Sequence, residues 1–249
     1  MKKYILTILI IVSFTGSAFS KATFSSSYNH TQRFLRGITL NSDGTTMYFS
    51  MQKTKNGSAT SGGDSLDAVD WITLSTANDL SSANAHDTDD HINVRLSCEV
   101  NGGDLVLPGD MRFNNDGTKV FITNEGHSNG PNVCQMELTT AYDASTIQDD
   151  DSGIVINNTD SDGRADRTRG LFFNSDGSKM FVTDYSDDKI YEYALTTNFE
   201  LTSNSYTTYF DLSTDGITVA TGLAFSKDGK QMFVVDRDCL LYTSPSPLD

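Results

Sequence analysis

Short apolar runs recur along the chain in a fixed relation to polar turns. In four places a run rich in Phe, Val, Ile, Met and Tyr is followed by Asn/Ser-x-Asp-Gly and a second apolar run. Such residues favour β-strands, and Asp-Gly between two strands is typical of a hairpin, because Gly tolerates positive φ. The first turn residue is expected to cap the turn with its side chain. The four copies begin at Gly37, Gly109, Gly170 and Gly222, and their turns contain Asp43-Gly44, Asp116-Gly117, Asp176-Gly177 and Asp228-Gly229.

Two more strands are predicted after the hairpins. Third strands are expected at 71–76, 133–140 and 190–197, each followed by a small polar turn that begins at Asp79, Asp143 or Glu200. Fourth strands are expected at 91–98, 152–157 and 206–212. Four antiparallel strands per copy predict an all-β fold, a β-propeller of four-stranded blades with about four blades in this chain. The copies lie further apart in the chain than four short strands require, and loops rich in Gly, Ser, Asn and Asp account for the difference.

The third copy carries a family resemblance. Its stretch Gly-Leu-Phe-Phe-Asn-Ser-Asp-Gly-Ser-Lys-Met-Phe-Val-Thr, at 170–183, is followed by Ile-Tyr-Glu-Tyr-Ala-Leu-Thr-Thr at 190–197. Together they resemble the repeats of bacterial secreted β-propellers of the YVTN, NHL and WD-like kind, and the resemblance covers most of 24–238. It implies a fold and no particular activity, because propellers host enzymes, adhesins and scaffolds alike.

The N-terminus has the pattern of an export signal. Lys2 and Lys3 precede an apolar run at 4–14, and Ala18-Phe19-Ser20 offers small residues for cleavage. This arrangement predicts a signal peptide at 1–20 and a secreted or periplasmic mature protein. The propeller blades are then expected at 21–238.

The last residues, 239–249, do not follow the repeat. They lack its apolar pattern and contain two of the four prolines. In one interpretation 239–243 is the third strand of a last blade, and the ring closes with four blades. In the other, which the prolines favour, the repeat stops near Asp238, the tail is not native, and the chain is a fragment of a larger propeller.

Composition narrows the classes of partner. Lys and Arg number 18 against 33 Asp and Glu, which gives a formal net charge of −15. A surface this acidic repels phosphate backbones and argues against nucleic acid as a partner. After the signal peptide, no apolar run is long enough for a membrane span. Of the three cysteines, Cys98 and Cys134 are the expected disulfide in an oxidising compartment, which leaves Cys239 over.

One acidic loop has the spacing of a calcium site. Asn158, Asp160, Asp162 and Asp166 supply oxygen side chains at positions one, three, five and nine, with Gly163 at position six. This matches the first part of a calcium-binding loop and resembles dockerin-type and thrombospondin-type repeats. Arg169 occupies position twelve, where a carboxylate normally binds the ion. The alternative interpretation is a plain acidic connector between blades.

Function is indicated only in outline. The sequence contains none of the motifs of serine hydrolases, zinc proteases or phosphate-binding loops. A binding or interaction module with a protein or carbohydrate ligand is therefore the leading hypothesis. Asn124, Glu125 and Asp184 directly follow predicted second strands, and around a central calcium they would suit a lactonase-type hydrolase, which is the alternative. A third possibility is one part of a larger surface or adhesion protein.

Overall fold

The computed structural model describes residues 34–53, 66–84, 91–94, 107–125, 132–148, 153–154, 167–184, 186–237 and 241–245. Within these ranges the regular elements are β-strands and three-residue 3-10 turns, so the all-β prediction is confirmed. No helix in this part of the chain has the length and apolar character needed to cross a bilayer. The predicted signal peptide, 1–20, and the calcium-like loop, 158–166, lie outside the described residues.

The described strands form four antiparallel sheets, which we call units 1 to 4, and the strands of each sheet pair in chain order. Unit 1 contains β1 (Phe34–Leu40), β2 (Thr46–Lys53), β3 (Leu66–Thr73) and β4 (His91–Asn93), and unit 2 contains β5 (Pro108–Phe113), β6 (Lys119–Asn124), β7 (Val133–Glu137) and β8 (Gly153–Ile154). Unit 3 contains β9 (Thr168–Phe173), β10 (Lys179–Asp184), β11 (Lys189–Leu195) and β12 (Asn204–Asp211), and unit 4 contains β13 (Ala220–Phe225), β14 (Gln231–Asp236) and β15 (Leu241–Pro245).

The Asp-Gly turns connect the first two strands of every unit, as predicted. In unit 1 the Asn41 Oδ1 atom accepts a hydrogen bond from the Thr46 N–H at 2.9 Å, and the Asp43 Oδ1 atom accepts one from the Thr45 N–H at 2.9 Å. Gly44 has a φ of 73°, in the left-handed region that a residue with a Cβ rarely adopts. The other three turns repeat this pattern, so the predicted side-chain cap is confirmed.

The third and fourth strands agree less closely with the sequence predictions. Strand β3 begins at Leu66 rather than at Trp71. Strand β2 continues to Lys53, and its residues pair one by one with those of β3, so the pairing extends β3 back to Leu66. Strands β7 and β11 lie close to their predicted ranges, whereas β4 ends at Asn93, before the predicted end at Cys98. Of the fourth strand predicted for unit 2, only Gly153–Ile154 lies within the described residues. The polar turns predicted after the third strands are 3-10 turns, capped by the side chains of Asp79, Asp143 and Glu200.

Apolar side chains fill the space between neighbouring units. Because alternate residues of a strand point to opposite faces of the sheet, each inner sheet contributes to two cores. Phe121 of β6 faces unit 3, where its ring centroid lies 4.6 Å from that of Phe173, whereas Val120 and Ile122 face unit 1. Phe181 similarly faces unit 4. The units are therefore stacked face to face.

The first strands of successive units lie against one another, β1 on β5, β5 on β9 and β9 on β13. A hydroxyl group holds the first pair. The Ser50 Oγ atom accepts from the Gly37 N–H at 2.8 Å and donates to the Gly109 carbonyl of unit 2. We call this arrangement the hydroxyl link. It requires a very close approach, since a Cβ on Gly37 would lie 2.6 Å from that same carbonyl oxygen.

The hydroxyl link recurs between units 2 and 3. The Thr123 Oγ1 atom accepts from the Asp110 N–H at 2.8 Å and donates to the Arg169 carbonyl at 2.6 Å. In unit 3 the Thr183 hydroxyl accepts from the Gly170 N–H at 2.7 Å. Asp110 therefore occupies in unit 2 the position that glycine occupies in units 1 and 3.

The alignment of the second copy on Gly109 is consequently wrong by one residue. This copy has one more residue than the others between its glycine and Asn114, the first residue of its turn. The hydroxyl link identifies Asp110, and not Gly109, as the equivalent of Gly37. Gly109 is instead the equivalent of the residues that precede the other glycines, Arg36, Arg169 and Thr221.

Unit 4 differs at the position of the linking hydroxyl, where it has Val235, whose side chain is 47% exposed. Strand β15 pairs with β14, from Gln231 opposite Pro245 to Val235 opposite Leu241. Within the described residues β13 does not pack on β1 as it packs on β9. Whether the tail is native stays a prediction.

Cys134 is buried in β7 and is disulfide-bonded. Cys98 and Cys239 lie outside the described residues. The pairing of Cys134 with Cys98 therefore stays a prediction.

We expect Thr123→Val to lower the free energy of unfolding by about 1–3 kcal/mol, because the half-buried Asp110 N–H and Arg169 carbonyl lose the buried hydroxyl that they share while side-chain size is kept. Urea unfolding followed by circular dichroism measures this change. Val235→Thr is the matched control: it makes the reverse exchange at the equivalent exposed position and should change stability by less than about 0.5 kcal/mol. Equal effects of the two substitutions would contradict a role for the hydroxyl link.

Candidate functional site

A β-bulge interrupts the first strand of every unit at the same place. At each bulge two residues of the first strand face one residue of the second. Bulges redirect a side chain away from the regular alternation of the strand. The first bulge residues, one from each unit, lie around a common cavity of about 140 Å³ that we call the inner cavity. Its lining residues are Arg36, Gly109, Asp110, Arg169 and Thr221.

Two arginines of the inner cavity share one carboxylate. Glu125, directly after β6, forms an ion pair with Arg36 of unit 1 and, at 2.6 Å, with Arg169 of unit 3. The side chains are 10%, 29% and 18% exposed, respectively. Burial by itself raises the pKa of Glu125, but the hydrogen bonds and charges of the two arginines outweigh burial and hold the pKa below its usual value. Glu125 is therefore an anion that joins three units.

The second charged pair of the inner cavity lies within β5. Asp110 and Arg112 form two N–H···O contacts of 2.9 Å, one to each carboxylate oxygen. Asp110 also accepts a hydrogen bond from the Leu171 N–H of unit 3, and Arg112 donates one to the Ile38 carbonyl of unit 1. Burial raises the pKa of Asp110, and the Arg112 charge opposes this rise. The pair is thus bound into both neighbouring units.

Several guanidinium groups meet at the inner cavity. Among the described residues, Arg36, Arg112 and Arg169 are paired with two carboxylates, Glu125 and Asp110. The chain as a whole carries a formal net charge of −15. The cavity therefore brings arginines together in a protein with an excess of acidic residues.

The residues that end the second strands have a structural role. The Asn124 Oδ1 atom accepts a hydrogen bond from the Leu107 N–H at 3.1 Å. The Asp236 Oδ2 atom accepts from the N–H groups of Thr218 and Val219 at 2.8 and 3.1 Å. Asp184 holds the equivalent position in unit 3. In each case the side chain fixes the backbone that leads into the first strand of its own unit.

Asp184 is fully buried and accepts from the Ser186 N–H at 2.7 Å and the Arg167 N–H at 3.5 Å. Burial, together with the charge of Asp187, raises the pKa of Asp184 from 3.8 to about 6, against the effect of these hydrogen bonds. The ionised side chain of Asp184 therefore destabilises the folded state at neutral pH. Unit 2 avoids this cost, because it has the neutral amide of Asn124 at the same position.

These contacts do not fit a calcium centre formed by Asn124, Glu125 and Asp184. The oxygens of Asn124 and Asp184 are held by backbone N–H groups, and Glu125 is paired with two arginines. In the described part of the chain there is no group of three or more His, Cys, Asp and Glu side chains arranged to hold a metal. The predicted ligands Asn158, Asp160, Asp162 and Asp166 lie outside that part, so calcium in their loop stays a prediction.

The structure is similar to solved β-propeller enzymes. A candidate 6-phosphogluconolactonase from Bacteroides fragilis matches with a TM-score of 0.52 and 15% identity over 86% of this chain and 55% of that chain. The periplasmic gluconolactonase of Pseudomonas aeruginosa matches with a TM-score of 0.51 and 17% identity over 84% and 52%. The sequence matches no protein-family model and no curated protein.

The fold is a β-propeller. Each unit is a blade, and the first strands are the innermost, so the bulge residues face the middle of the propeller. The chain spans about half the length of the two solved propellers. At identities below 20% this similarity shows the fold and not the activity or the residues of a functional site.

Sequence reasoning identified one of the charged residues that meet at the inner cavity and missed its partners. Glu125 was selected because it follows a second strand, but as a metal ligand rather than as the partner of two arginines. Arg36 and Arg169 had a usable signal, because both directly precede the glycine of their copy, in Arg36-Gly37 and Arg169-Gly170. Thr221 holds the same position before Gly222, but its side chain carries no charge.

We expect Asp184→Asn to change how stability depends on pH. The pKa of Asp184 is raised on folding from 3.8 to about 6, so the stability linked to this group is fully present below about pH 4 and is lost as pH rises through 6. The variant lacks this loss. Between pH 4 and pH 7 its free energy of unfolding should rise relative to the wild type by about 2 kcal/mol, measured by urea unfolding at each pH.

Asn124→Asp is the matched control, because it places a carboxylate at the same buried position in unit 2. This variant should acquire an additional loss of stability between pH 4 and pH 7. A difference from the wild type that is independent of pH, for both variants, would show that burial at this position does not perturb the carboxyl group.

Proposed function

We propose that this propeller is a binding module that holds a small ligand in the inner cavity. The observation that supports this proposal is the convergence of four equivalent bulge residues, one from each unit, on a single cavity. Clefts of this kind, with a few convergent polar groups, are the usual sites of ligands in proteins. The two arginines supply hydrogen-bond donors there. The Thr221 hydroxyl donates to the Val235 carbonyl at 3.0 Å and can accept a hydrogen bond from a ligand.

The charged groups at the cavity favour recognition over acid–base chemistry. A general base needs a carboxylate whose pKa lies near the working pH. The pKa of Glu125 is held below its usual value by Arg36 and Arg169, and Asp110 is engaged by Arg112 and a backbone N–H. These carboxylates orient arginines rather than transfer protons.

A calcium-dependent hydrolase of the lactonase type is the alternative proposal. It draws on the printed names of the two solved structures, which share only the fold with this chain. The contacts of Asn124, Glu125 and Asp184 described above weigh against a central calcium. The remaining candidate for a calcium site is the loop that contains Asn158, Asp160, Asp162 and Asp166.

The setting of this binding activity follows from the sequence. We propose a secreted or periplasmic protein, because of the predicted signal peptide at 1–20. A protein or carbohydrate ligand, and membership of a larger surface protein, belong to the same proposal. The acidic net charge disfavours nucleic acid.

Filling the inner cavity should abolish binding without removing its charges. We expect Thr221→Phe to reduce the affinity of any ligand found in a saturation-transfer NMR screen of neutral, cationic and anionic small molecules by at least about tenfold, because the ring occupies the cavity. Thr221→Ser, which keeps the hydroxyl group and does not fill the cavity, is the matched control and should bind ligands like the wild type. Ligands that bind both variants as well as the wild type would place the binding site elsewhere and contradict the proposal.

Calcium binding is tested by melting temperature. If the acidic loop binds calcium, calcium chloride should raise the melting temperature of the wild type and a chelator should reverse the rise, because an ion that binds only the folded state stabilises it. Asp160→Asn combined with Asp162→Asn should abolish the shift. Asp149→Asn combined with Asp150→Asn removes the same charge elsewhere and should not. An equal shift in all three proteins, or none, would contradict the loop site; no calcium-dependent hydrolysis of gluconolactone would contradict the hydrolase.

A further inference from the structure

We propose that the inner cavity binds the carboxylate group of a small organic acid, with Arg36 and Arg169 as the two recognition groups. This inference rests on the proposed function and adds the chemical class of the ligand. Arginine presents N–H donors in a planar fork that matches a carboxylate. Two arginines from different units line the same cavity, so a carboxylate between them contacts both.

Glu125 is the internal precedent for this contact. Its carboxylate already lies between the two arginines, with one oxygen toward each. The protein thus demonstrates on its own side chain that the spacing of Arg36 and Arg169 suits a carboxylate. The same residue competes with an external carboxylate for the donors of both arginines.

The cost of desolvation favours a carboxylate over a phosphate dianion. Asp110 and Arg112 pair through two contacts of 2.9 Å. Arg36 and Arg169 both pair with the singly charged carboxylate of Glu125. A ligand carboxylate presents the same charge and shape to the two arginines, whereas a phosphate dianion carries a second charge that costs more to take out of water.

The volume favours a small acid. A cavity of about 140 Å³ is similar to an engineered cavity of about 150 Å³ that binds benzene, so it accommodates about six non-hydrogen atoms. Beside the arginines, the Thr221 hydroxyl and the backbone at Gly109 offer partners for a ligand hydroxyl group. A short hydroxycarboxylate such as lactate therefore fits the size and the polarity of the site.

The test compares lactate with lactamide, which has the same size and hydroxyl group but no charge. Binding to the full chain is measured by NMR titration at low salt, in a buffer without carboxylate or phosphate. Lactate should bind saturably and lactamide at least about tenfold more weakly. Inorganic phosphate serves as the third probe and should bind more weakly than lactate.

Five variants separate recognition from simple surface charge. Arg36→Gln and Arg169→Gln should each weaken lactate binding at least about tenfold. Lys227→Gln removes the same charge from an exposed turn between β13 and β14 and should have no effect. Arg36→Lys, which keeps the charge and an ion pair with Glu125, should weaken binding several-fold even if Arg36→Gln fails to fold. Glu125→Gln removes the competing carboxylate and should tighten lactate binding, about tenfold, which a purely structural role for Glu125 would not produce.

The carboxylate assignment is overturned if lactamide or phosphate binds as well as lactate, if Arg36→Gln and Lys227→Gln behave alike, or if Glu125→Gln weakens binding. Neutral ligands that Thr221→Phe displaces would leave the binding function in place while removing the carboxylate class. Failure of both experiments would remove the inner cavity as a site altogether.

Discussion

The close contact between first strands, held by a hydroxyl group, is the constraint on which the rest of the molecule depends. Ser50 and Thr123 each satisfy an N–H group within their own unit and a carbonyl group of the next. These backbone groups are buried in the Ser50 link and half-buried in the Thr123 link, and an unpaired polar group in a buried position costs about 1–3 kcal/mol. The hydroxyl link therefore fixes the distance between neighbouring units. It also holds the bulge of the first strand in place, because the N–H group that it binds belongs to a bulge residue.

The bulge determines where chemistry is located in this fold. A regular strand would direct its side chains alternately into the two cores between units, which are apolar. The extra residue at the bulge escapes this alternation and faces the inner cavity. Arg36, Arg169 and Thr221 therefore extend toward the cavity rather than into either core, whereas a side chain at Gly109 would lie too close to the Thr123 hydroxyl.

The sequence predicts the parts of this fold that depend on local chemistry. Asn41, Asp43 and Gly44 form a turn from contacts within six residues, and such a turn is legible in the sequence. The start of β3 cannot be predicted from the sequence, because Leu66 is placed by its pairing with Lys53 across a long connection. The equivalence of Asp110 with Gly37 cannot be predicted either, because only the contact with Thr123 reveals it. Local signals predicted the elements, and contacts distant in sequence decided their register.

The same distinction explains the site. Glu125 was legible as a polar residue after a strand, but its role depends on Arg36 and Arg169, which lie 89 and 44 residues away in the chain. A metal and an arginine pair both attract a carboxylate, and no local pattern distinguishes them. The choice is made by the fold, which brings the guanidinium groups of Arg36 and Arg169 to the two carboxylate oxygens of Glu125.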